Sequence, residues 1–333
     1  GISWEKKFSF LGDSGPSIED LGHHAGCSTF SLNHGSNKDD PVVIWLTGGP
    51  GCGGELALFY ENGPFHIANN LSLVWNDFGW DQASNILFVD QPTGTGFSYS
   101  SDASDIRNDE VGISNDLYDF LQGFAIGNGL TNPAIQYQAY PDFALDNGII
   151  TKAEHDQISQ SIPDCEQAAK LAYYDIRKKC VGELCYDLKD VETLLNLQNV
   201  KSALGVAEDL TYVSCSTTVY NAMGQDWMKN LEVGIPSLLE DGIKLLVYAG
   251  EEDLICNWLG NSRWVYAMEW SGQKAFGTSP TVKFVVDGAE AGSLNSYGPL
   301  SFLKVYEAGH LVPMDQPKAA LQMFKSWMGG NLT

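Results

Sequence analysis

Basic residues are scarce in this 333-residue sequence. Lysine and arginine together number 19 against 42 aspartates and glutamates, so the formal net charge is −23 and the pI is about 4.4. Such a surface repels phosphate backbones and anionic lipid head groups, which argues against nucleic-acid and membrane partners. The excess of carboxylates suits a protein that works in an acidic compartment.

Long apolar runs are also missing. No stretch approaches the roughly 18 apolar residues that span a bilayer, and the amino end carries no apolar leader, so we interpret the sequence as a mature, soluble chain. Seven cysteines favour an oxidising compartment, because cytosolic chains of this size usually carry fewer. Sequons at Asn70 and Asn331 offer glycosylation sites to a secreted protein.

Short β-branched and apolar runs predict five buried strands. They lie at residues 42–46, 86–89, 124–126, 243–248 and 302–305. Apolar residues at helical spacing predict helices at 111–122, 226–240 and 317–328. Alternating strands and helices predict an α/β fold with a central, mainly parallel sheet, helices on both faces, and chemistry at the carboxyl ends of the strands. We expect one domain over 1–333, in which the helix-rich, polar stretch 133–215 is a cap insertion.

Three loops after predicted strands carry candidate chemistry. In the glycine-rich turn 48–51, backbone N–H groups can point at one anion, as an oxyanion hole or a carboxylate cradle requires, although a plain tight turn is an equal alternative. Asp253 is placed either to orient an imidazole or to cap a helix. His310, which follows Gly309, is either a general base or a structural histidine.

Five ordered motifs make the sequence resemble the serine carboxypeptidase family, and most closely its cereal type III plant members. The motifs are Gly48-Gly49-Pro50-Gly51-Cys52, Val89-Asp90-Gln91-Pro92 with Gly94-Thr95-Gly96-Phe97-Ser98, Ile126-Gly127-Asn128-Gly129, and the loops of Asp253 and His310. The resemblance implies an α/β-hydrolase fold and an acid-optimum enzyme that needs no cofactor. Such an enzyme removes C-terminal amino acids with a Ser-Asp-His triad in a vacuole, a lysosome or a secreted fluid.

The resemblance also implies roles for individual residues. Asp253 would orient His310, His310 would be the base, and the N–H of Gly49 would be one oxyanion donor. The site for the substrate carboxylate would comprise Trp45, Thr47, Gly48 and Glu61, with Thr47 standing where many members have asparagine. The expected partners are peptide C-termini or small carboxylate ligands, and a homodimer is left open.

The cysteines and the metal ligands follow from the same resemblance. It pairs Cys52 with Cys215 and Cys180 with Cys185, and it makes Cys256 a buried free thiol near the active site. Cys27 and Cys165 receive no partner. No metal site is expected, because His23, His24 and Cys27 have no second ligand cluster at a suitable spacing.

The family's nucleophile is missing from the sequence. The family carries it in Gly-Glu-Ser-Tyr-Ala-Gly at a strand-to-helix elbow, whereas this chain passes directly from Gln122 to Gly123. Neither Ser14 nor Ser98 lies in a replacement Gly-x-Ser-x-Gly. A helix followed by a parallel strand usually needs a loop of about two to six residues. We therefore expect either a sheet that closes across the gap or a protein with further residues at this point.

Three hypotheses follow from this combination. The first is a serine carboxypeptidase-like protein that is impaired or inactive because the serine is absent. The second is a non-catalytic binding or storage protein that keeps the carboxylate cradle around Thr47, Gly48 and Glu61. The third is a relative that uses the fold for lyase or acyl-transfer chemistry.

Overall fold

The computed structural model describes residues 9–10, 25–26, 29–32, 40–100, 102–110, 113, 123–161, 174–180 and 185–332. Apart from residue 113, the predicted helix at 111–122 lies outside the described residues. So do Ser14, His23, His24, Cys27 and Cys165, which the sequence analysis considered.

The described strands and helices are given in chain order. The strands are β1 (Ser9–Phe10), β2 (Ala25–Gly26), β3 (Thr29–Leu32), β4 (Val42–Leu46), β5 (Phe65–Ile67), β6 (Leu73–Trp75), β7 (Asn85–Val89), β8 (Tyr99–Ser100), β9 (Gly123–Gly127), β10 (Lys244–Gly250), β11 (Val282–Val286), β12 (Ala289–Tyr297) and β13 (Leu300–Val305). The helices are α1 (Pro133–Gln136), α2 (Tyr140–Asp146), α3 (Lys152–Ser161), α4 (Lys189–Leu195), α5 (Gln198–Leu204), α6 (Thr217–Ala222), α7 (Ile235–Glu240), α8 (Trp258–Ala267), α9 (Gln273–Gly277), α10 (Val312–Asp315) and α11 (Pro317–Met328). No helix in the described parts of the chain is long and apolar enough to cross a membrane.

One compact unit comprises residues 1–118 and 187–226. Its largest sheet has the strand order β1-β3-β7-β4, in which β4 and β7 are parallel and the other pairs are antiparallel. Within this sheet β4 is an edge strand, and Val42, Ile44 and Leu46 are exposed along it. An edge strand with exposed apolar residues has unused pairing capacity.

The second compact unit comprises residues 119–186 and 227–333. Its sheet has the order β11-β12-β13-β10-β9, with β13, β10 and β9 parallel and β11 and β12 antiparallel. All residues of β10 after Lys244 are buried. Leu245 and Val247 pack with Trp264 of α8 in the core of this unit, which fixes the strands that carry the site.

The five predicted strands are confirmed, and so is the helix at 317–328. The helix predicted at 226–240 is shorter, because a 3₁₀ turn at Glu232–Gly234 precedes α7 and Pro236 favours a helix start there. The antiparallel strands β11 and β12 were not predicted. The sequence of β12 contains Gly, Ala and Ser instead of β-branched residues, whereas the Val-Lys-Phe-Val-Val run of β11 is a strand pattern that the sequence analysis overlooked. Residues 133–215 contain helices and no strand in their described parts, whereas the single domain with a cap stays a prediction.

Candidate active site

Three parallel strands end at the same edge of the second unit's sheet. Asn128 follows β9, Asp253 follows β10, and His310 follows β13 in the loop that leads to α10. Because the carboxyl ends of parallel neighbours share one edge, these three side chains meet although they are far apart in sequence.

Asp253 and His310 are in direct contact. The Nδ1 atom of His310 lies 2.8 Å from Oδ2 of Asp253, and the Asn128 side-chain amide donates to the same oxygen at 2.8 Å. The Asp253 side chain is fully buried, while the His310 side chain is 25% exposed. A buried carboxylate that faces Nδ1 holds the imidazole in the tautomer whose Nε2 accepts a proton, which is the arrangement of a general base.

Gly250 permits the close approach of the His310 loop to the end of β10. A Cβ atom at Gly250 would lie 2.1 Å from the carbonyl oxygen of Gly309 and 2.4 Å from that of Ala308. The loop is also tied to the strand end, because the N–H of Glu252 donates to the Ala308 carbonyl at 2.8 Å. Only a glycine at position 250 allows this packing, because any larger side chain would collide with the His310 loop.

Tyr174 contacts His310 through both its backbone and its ring. The His310 N–H donates to the Tyr174 carbonyl at 2.8 Å, and the two rings meet edge to face with centroids 4.9 Å apart. Ile176, two residues after Tyr174, contacts the other loop of the site: its N–H donates to the carbonyl of Glu252 at 2.9 Å. The segment 174–176 therefore restrains both loops of the site.

An ion pair between the buried Asp175 carboxylate and the exposed Arg177 side chain stabilises this segment. The Arg177 guanidinium donates to both oxygens of Asp175 at 2.9 and 2.8 Å, and also to the Glu307 carbonyl at 2.9 Å. Burial alone would raise the pKa of Asp175, but the hydrogen bonds from Arg177 and Lys178 outweigh it and lower that pKa to about 2. The pair fastens the backbone beside the His310 loop.

Cys256 is a free, buried thiol beside the Asp253–His310 pair, as the resemblance implied. One ligand atom each from Asp253, Cys256 and His310 lie within 4.8 Å of one another, which is a spacing that a metal ion could use. Burial and the carboxylate of Asp253 raise the pKa of the thiol well above its usual value. This trio was not considered in the sequence analysis, and the expectation of no metal site stays a prediction.

The predicted carboxylate and oxyanion residues belong to the other unit. Trp45 Nε1 donates to Thr47 Oγ1 at 3.1 Å, which joins two of them at the end of β4. Gly49 follows with a φ of 127°, a conformation that L side chains rarely adopt. Glu61 is buried at the end of a π-helical turn, Ala57–Glu61. The roles assigned to these residues and to Gly48 stay predictions.

Both predicted disulfides are present, namely Cys52–Cys215 and Cys180–Cys185. Around Cys52, the N–H of Gly53 donates to the Ser214 carbonyl at 3.0 Å, and the N–H of Ser216 donates to the Gly51 carbonyl at 2.8 Å. The bridge and these hydrogen bonds fix the backbone that follows the glycine-rich turn.

The Asp90 carboxylate joins the backbone just after the glycine-rich turn to the backbone at Phe97. Its Oδ1 accepts the N–H of Gly54 at 2.8 Å, and its Oδ2 accepts the N–H of Phe97 at 2.7 Å. Glu55 and Tyr212 are buried next to it: a Cβ at Gly53 would lie 2.5 Å from Glu55 Oε2, 3.0 Å from the Tyr212 hydroxyl and 3.2 Å from Asp90 Oδ1. Burial and the neighbouring Asp90 carboxylate raise the pKa of Glu55 well above its usual value.

Sequence reasoning missed the parts played by Asn128 and Glu55. Asn128 lies in a motif that the resemblance used, but nothing in the motif alone shows that its amide reaches Asp253. Nothing in the sequence around Glu55, which follows Gly53-Gly54, indicates that Glu55 is buried beside Asp90, 35 positions away. Only the strand order and the packing bring these groups together.

Comparisons with known proteins agree with this architecture. The profile of the family described as serine carboxypeptidase matches residues 29–125, 121–180 and 161–330. Serine carboxypeptidase-like 49 from Arabidopsis thaliana is 53% identical over 420 aligned positions, which cover 98% of this chain and 81% of that protein. Serine carboxypeptidase 3 from Hordeum vulgare is 51% identical over 95% of this chain and 79% of that protein.

A solved structure supports the fold. The crystal structure of Kex1Δp, a prohormone-processing carboxypeptidase from Saccharomyces cerevisiae, superimposes with a TM-score of 0.82, covers 98% of this chain and 91% of its own, and is 19% identical in sequence. The α/β-hydrolase fold predicted from the sequence, with a mixed sheet and helices on both sides, is therefore confirmed. The family profile and relatives that share half of their residues with it show that this chain belongs to the serine carboxypeptidase family.

Proposed function

We propose that this chain carries the acid–base half of a serine carboxypeptidase site and lacks its nucleophilic serine, so that its C-terminal exopeptidase activity is impaired or absent. The observation that carries the first part is the 2.8 Å contact between His310 Nδ1 and Asp253 Oδ2 at the shared edge of three parallel strands. In such a pair His310 takes a proton at Nε2, and the buried Asp253 carboxylate stabilises the imidazolium that forms.

The way in which relatives align supports the second part of the proposal. The family profile matches in three stretches that overlap at residues 121–125 and again at 161–180, and the first overlap contains Gln122 and Gly123. The alignment with the Arabidopsis relative spans 420 positions, more than the whole length of this chain. Relatives thus have residues where this chain has none.

The edge strands of the two sheets also support the proposal that a segment is missing. Among the described strands, β4 and β9 each lie at one edge of their own sheet, and β4 has exposed apolar residues. A central strand of a mainly parallel sheet is normally paired on both sides. Ser98 does not replace the missing residue, because its buried hydroxyl donates to the Asp90 carbonyl at 2.7 Å.

Loss of the serine removes the covalent route. Without it and the oxyanion N–H that follows it, the remaining groups supply at most about 10³ to 10⁴ over the reaction in water. His310 can then only polarise a water molecule, and the carboxylate site can bind a peptide end without cleaving it. The proposed ligands are accordingly peptide C-termini or small carboxylates.

We also propose that the chain passes through the secretory pathway to a vacuole, a lysosome or the extracellular fluid. Two disulfides fit an oxidising route. Asn70 is exposed in the turn between β5 and β6, where its Oδ1 accepts both the N–H and the hydroxyl of Ser72. We expect a glycan at Asn70, and Asn331, which is also exposed, is the second proposed acceptor.

The direct test uses a fluorophosphonate probe together with hydrolysis of a blocked dipeptide at acidic pH. The barley relative, serine carboxypeptidase 3, serves as the matched active protein. We expect the relative to be labelled and to release the C-terminal amino acid, and this chain, at an intact mass of 36.3 kDa plus glycans, to do neither. Labelling of a serine in this chain, with hydrolysis at a rate similar to the relative's, would contradict the proposal.

A second candidate function, a binding or storage protein, is favoured by the joined pair Trp45–Thr47 and by the burial of Glu61. Calorimetry with a short peptide, and with the same peptide amidated at its C-terminus, tests it. Binding of the free acid alone supports carboxylate recognition. No heat at millimolar concentrations of either peptide excludes it.

A further inference from the structure

Asn128, which follows β9, binds the carboxylate of Asp253, which follows the neighbouring strand β10. Its Nδ2 donates to Oδ2 at 2.8 Å, and this is the same oxygen that faces His310 Nδ1 at 2.8 Å. Among the described residues, the hydrogen bonds to the Asp253 side chain come from these two groups. One oxygen with two donors leaves the carboxylate little freedom to rotate.

The backbone fixes where the Asn128 amide lies. Asn128 is 4% exposed and has a φ of 44°, in the left-handed region that asparagine tolerates better than most residues. Its N–H donates to the carbonyl of Tyr248 at 2.9 Å, which extends the parallel pairing of β9 with β10 by one residue. The Tyr248 ring occupies the space beside Gly127, since a Cβ there would lie 2.3 Å from the ring. The amide therefore moves with the sheet and not with a loop.

The chemistry of the group suits a buried carboxylate. An amide donates a hydrogen bond without bringing a charge, so it offsets part of the desolvation of Asp253 and does not compete with the imidazolium as a counter-ion. A lysine or arginine at this place would neutralise Asp253 and weaken its hold on His310. An acidic group would repel it.

We propose that Asn128 is a positioning residue for the Asp253–His310 pair: its amide keeps Oδ2 aimed at Nδ1–H and thereby fixes His310 in the tautomer whose Nε2 accepts protons. This rests on the acid–base role proposed above for the pair. It assigns to Asn128 no contact with substrate.

The test reads the His310 ring and needs no catalytic turnover. In ¹⁵N-labelled protein at neutral pH, signals assigned with a His310→Gln variant should show one tautomer and a low-field Nδ1–H proton. Asn128→Gly deletes the amide and keeps the left-handed backbone unstrained, while Asn128→Asp keeps the size and replaces the donor with an acceptor. In both variants we expect a mixture of tautomers, and we expect the low-field proton to broaden or vanish.

A matched control separates positioning from general loss of structure. Asn295 is a buried asparagine of β12 in the same unit, where it contacts Ser279 and Thr281 and does not touch the site. Asn295→Ala should lower the unfolding midpoint but leave the His310 signals unchanged. Wild-type ring signals in folded Asn128→Gly and Asn128→Asp would overturn the proposal. Because no activity is measured, this outcome is independent of whether the chain is an active peptidase.

Discussion

Glu55 should make the first unit sensitive to rising pH, and replacing it with glutamine should remove that sensitivity. Glu55 is fully buried against Asp90 and Tyr212, and its pKa is raised well above the usual value by burial first and by the Asp90 carboxylate second. Burial also raises the pKa of Asp90, but the two backbone N–H bonds that Asp90 accepts offset part of this effect, so Glu55 is the group that keeps the proton.

The sign and the size of the effect follow from linkage. Because the pKa of Glu55 is raised in the folded chain, its contribution to stability is fully present below its unfolded pKa of about 4.3 and is lost as pH rises toward the folded value. Over that interval the wild type should lose about 1.4 kcal/mol per pH unit relative to Glu55→Gln. From pH 5 upward the variant should therefore gain stability on the wild type, and the gain should grow as the pH rises.

Urea unfolding followed by tryptophan fluorescence at several pH values measures this difference. Glu208→Gln, an exposed glutamate in the same unit, is the control, and its curve should run parallel to the wild type. If Glu55→Gln also runs parallel to the wild type between pH 5 and pH 7, then Glu55 is ionised in the folded protein and the reasoning fails.

Three further predictions concern the second unit. The pKa of His155 is raised by hydrogen bonds between its two ring nitrogens and carboxylates, first that of Asp142 in α2 and then that of Asp156. The contact between His155 and Asp142 should therefore be fully formed below about pH 6.5 and should weaken as the pH rises. An NMR titration should show a lower midpoint for His155 in Asp142→Asn, and an unchanged midpoint would contradict this prediction. The lowered pKa of Asp175 contributes to the free energy of unfolding, and the wild type loses this contribution as the pH falls from about 4 to about 2. Asp175→Asn lacks the contribution at every pH. Thermal unfolding followed by circular dichroism should therefore show a smaller difference in stability between wild type and variant at pH 2 than at pH 6. Gly250→Ala should lower the free energy of unfolding by about 1–3 kcal/mol, because the new Cβ would collide with two carbonyl oxygens. Gly277→Ala, where no atom lies near the new Cβ, should change the free energy of unfolding by less than about 1 kcal/mol. Equal effects of the two substitutions in chemical denaturation would contradict this prediction.

The sequence predicted the parts of the fold that depend on local pattern. The buried run that forms β10 and the amphipathic helix α11 are visible as apolar periodicity, and both form where they were predicted. Asp253 and His310 stand out because each follows such a strand, and the resemblance to a family gave them roles. Their contact follows from the adjacency of β10 and β13, which the sequence did not state.

The parts that depend on distant contacts could not be predicted. Asn128 reaches Asp253 across 125 positions, and its role depends on a left-handed backbone at the end of β9. The partners of Glu55 depend on how β7 and the residue pair Gly53-Gly54 pack, and on Tyr212 from a distant part of the chain. The division of the strands into two sheets could be read only from the strand pairing itself. The sequence at Gln122 and Gly123 predicted either a sheet that closes across a gap or a protein with further residues there, and neither alternative specifies the strand order.

The central proposal is that the acid–base half of the site is formed, and that the absence of a serine-bearing segment between Gln122 and Gly123 prevents exopeptidase activity. The most direct measurement inserts a segment with the family's Gly-Glu-Ser-Tyr-Ala-Gly elbow between Gln122 and Gly123 of this chain and assays the release of a C-terminal amino acid at acidic pH. We predict activity and fluorophosphonate labelling in the restored chain, at least about a thousandfold loss of activity in the restored chain with His310→Gln, and neither signal in the original chain. A restored chain that is equally active with and without His310 would contradict the account.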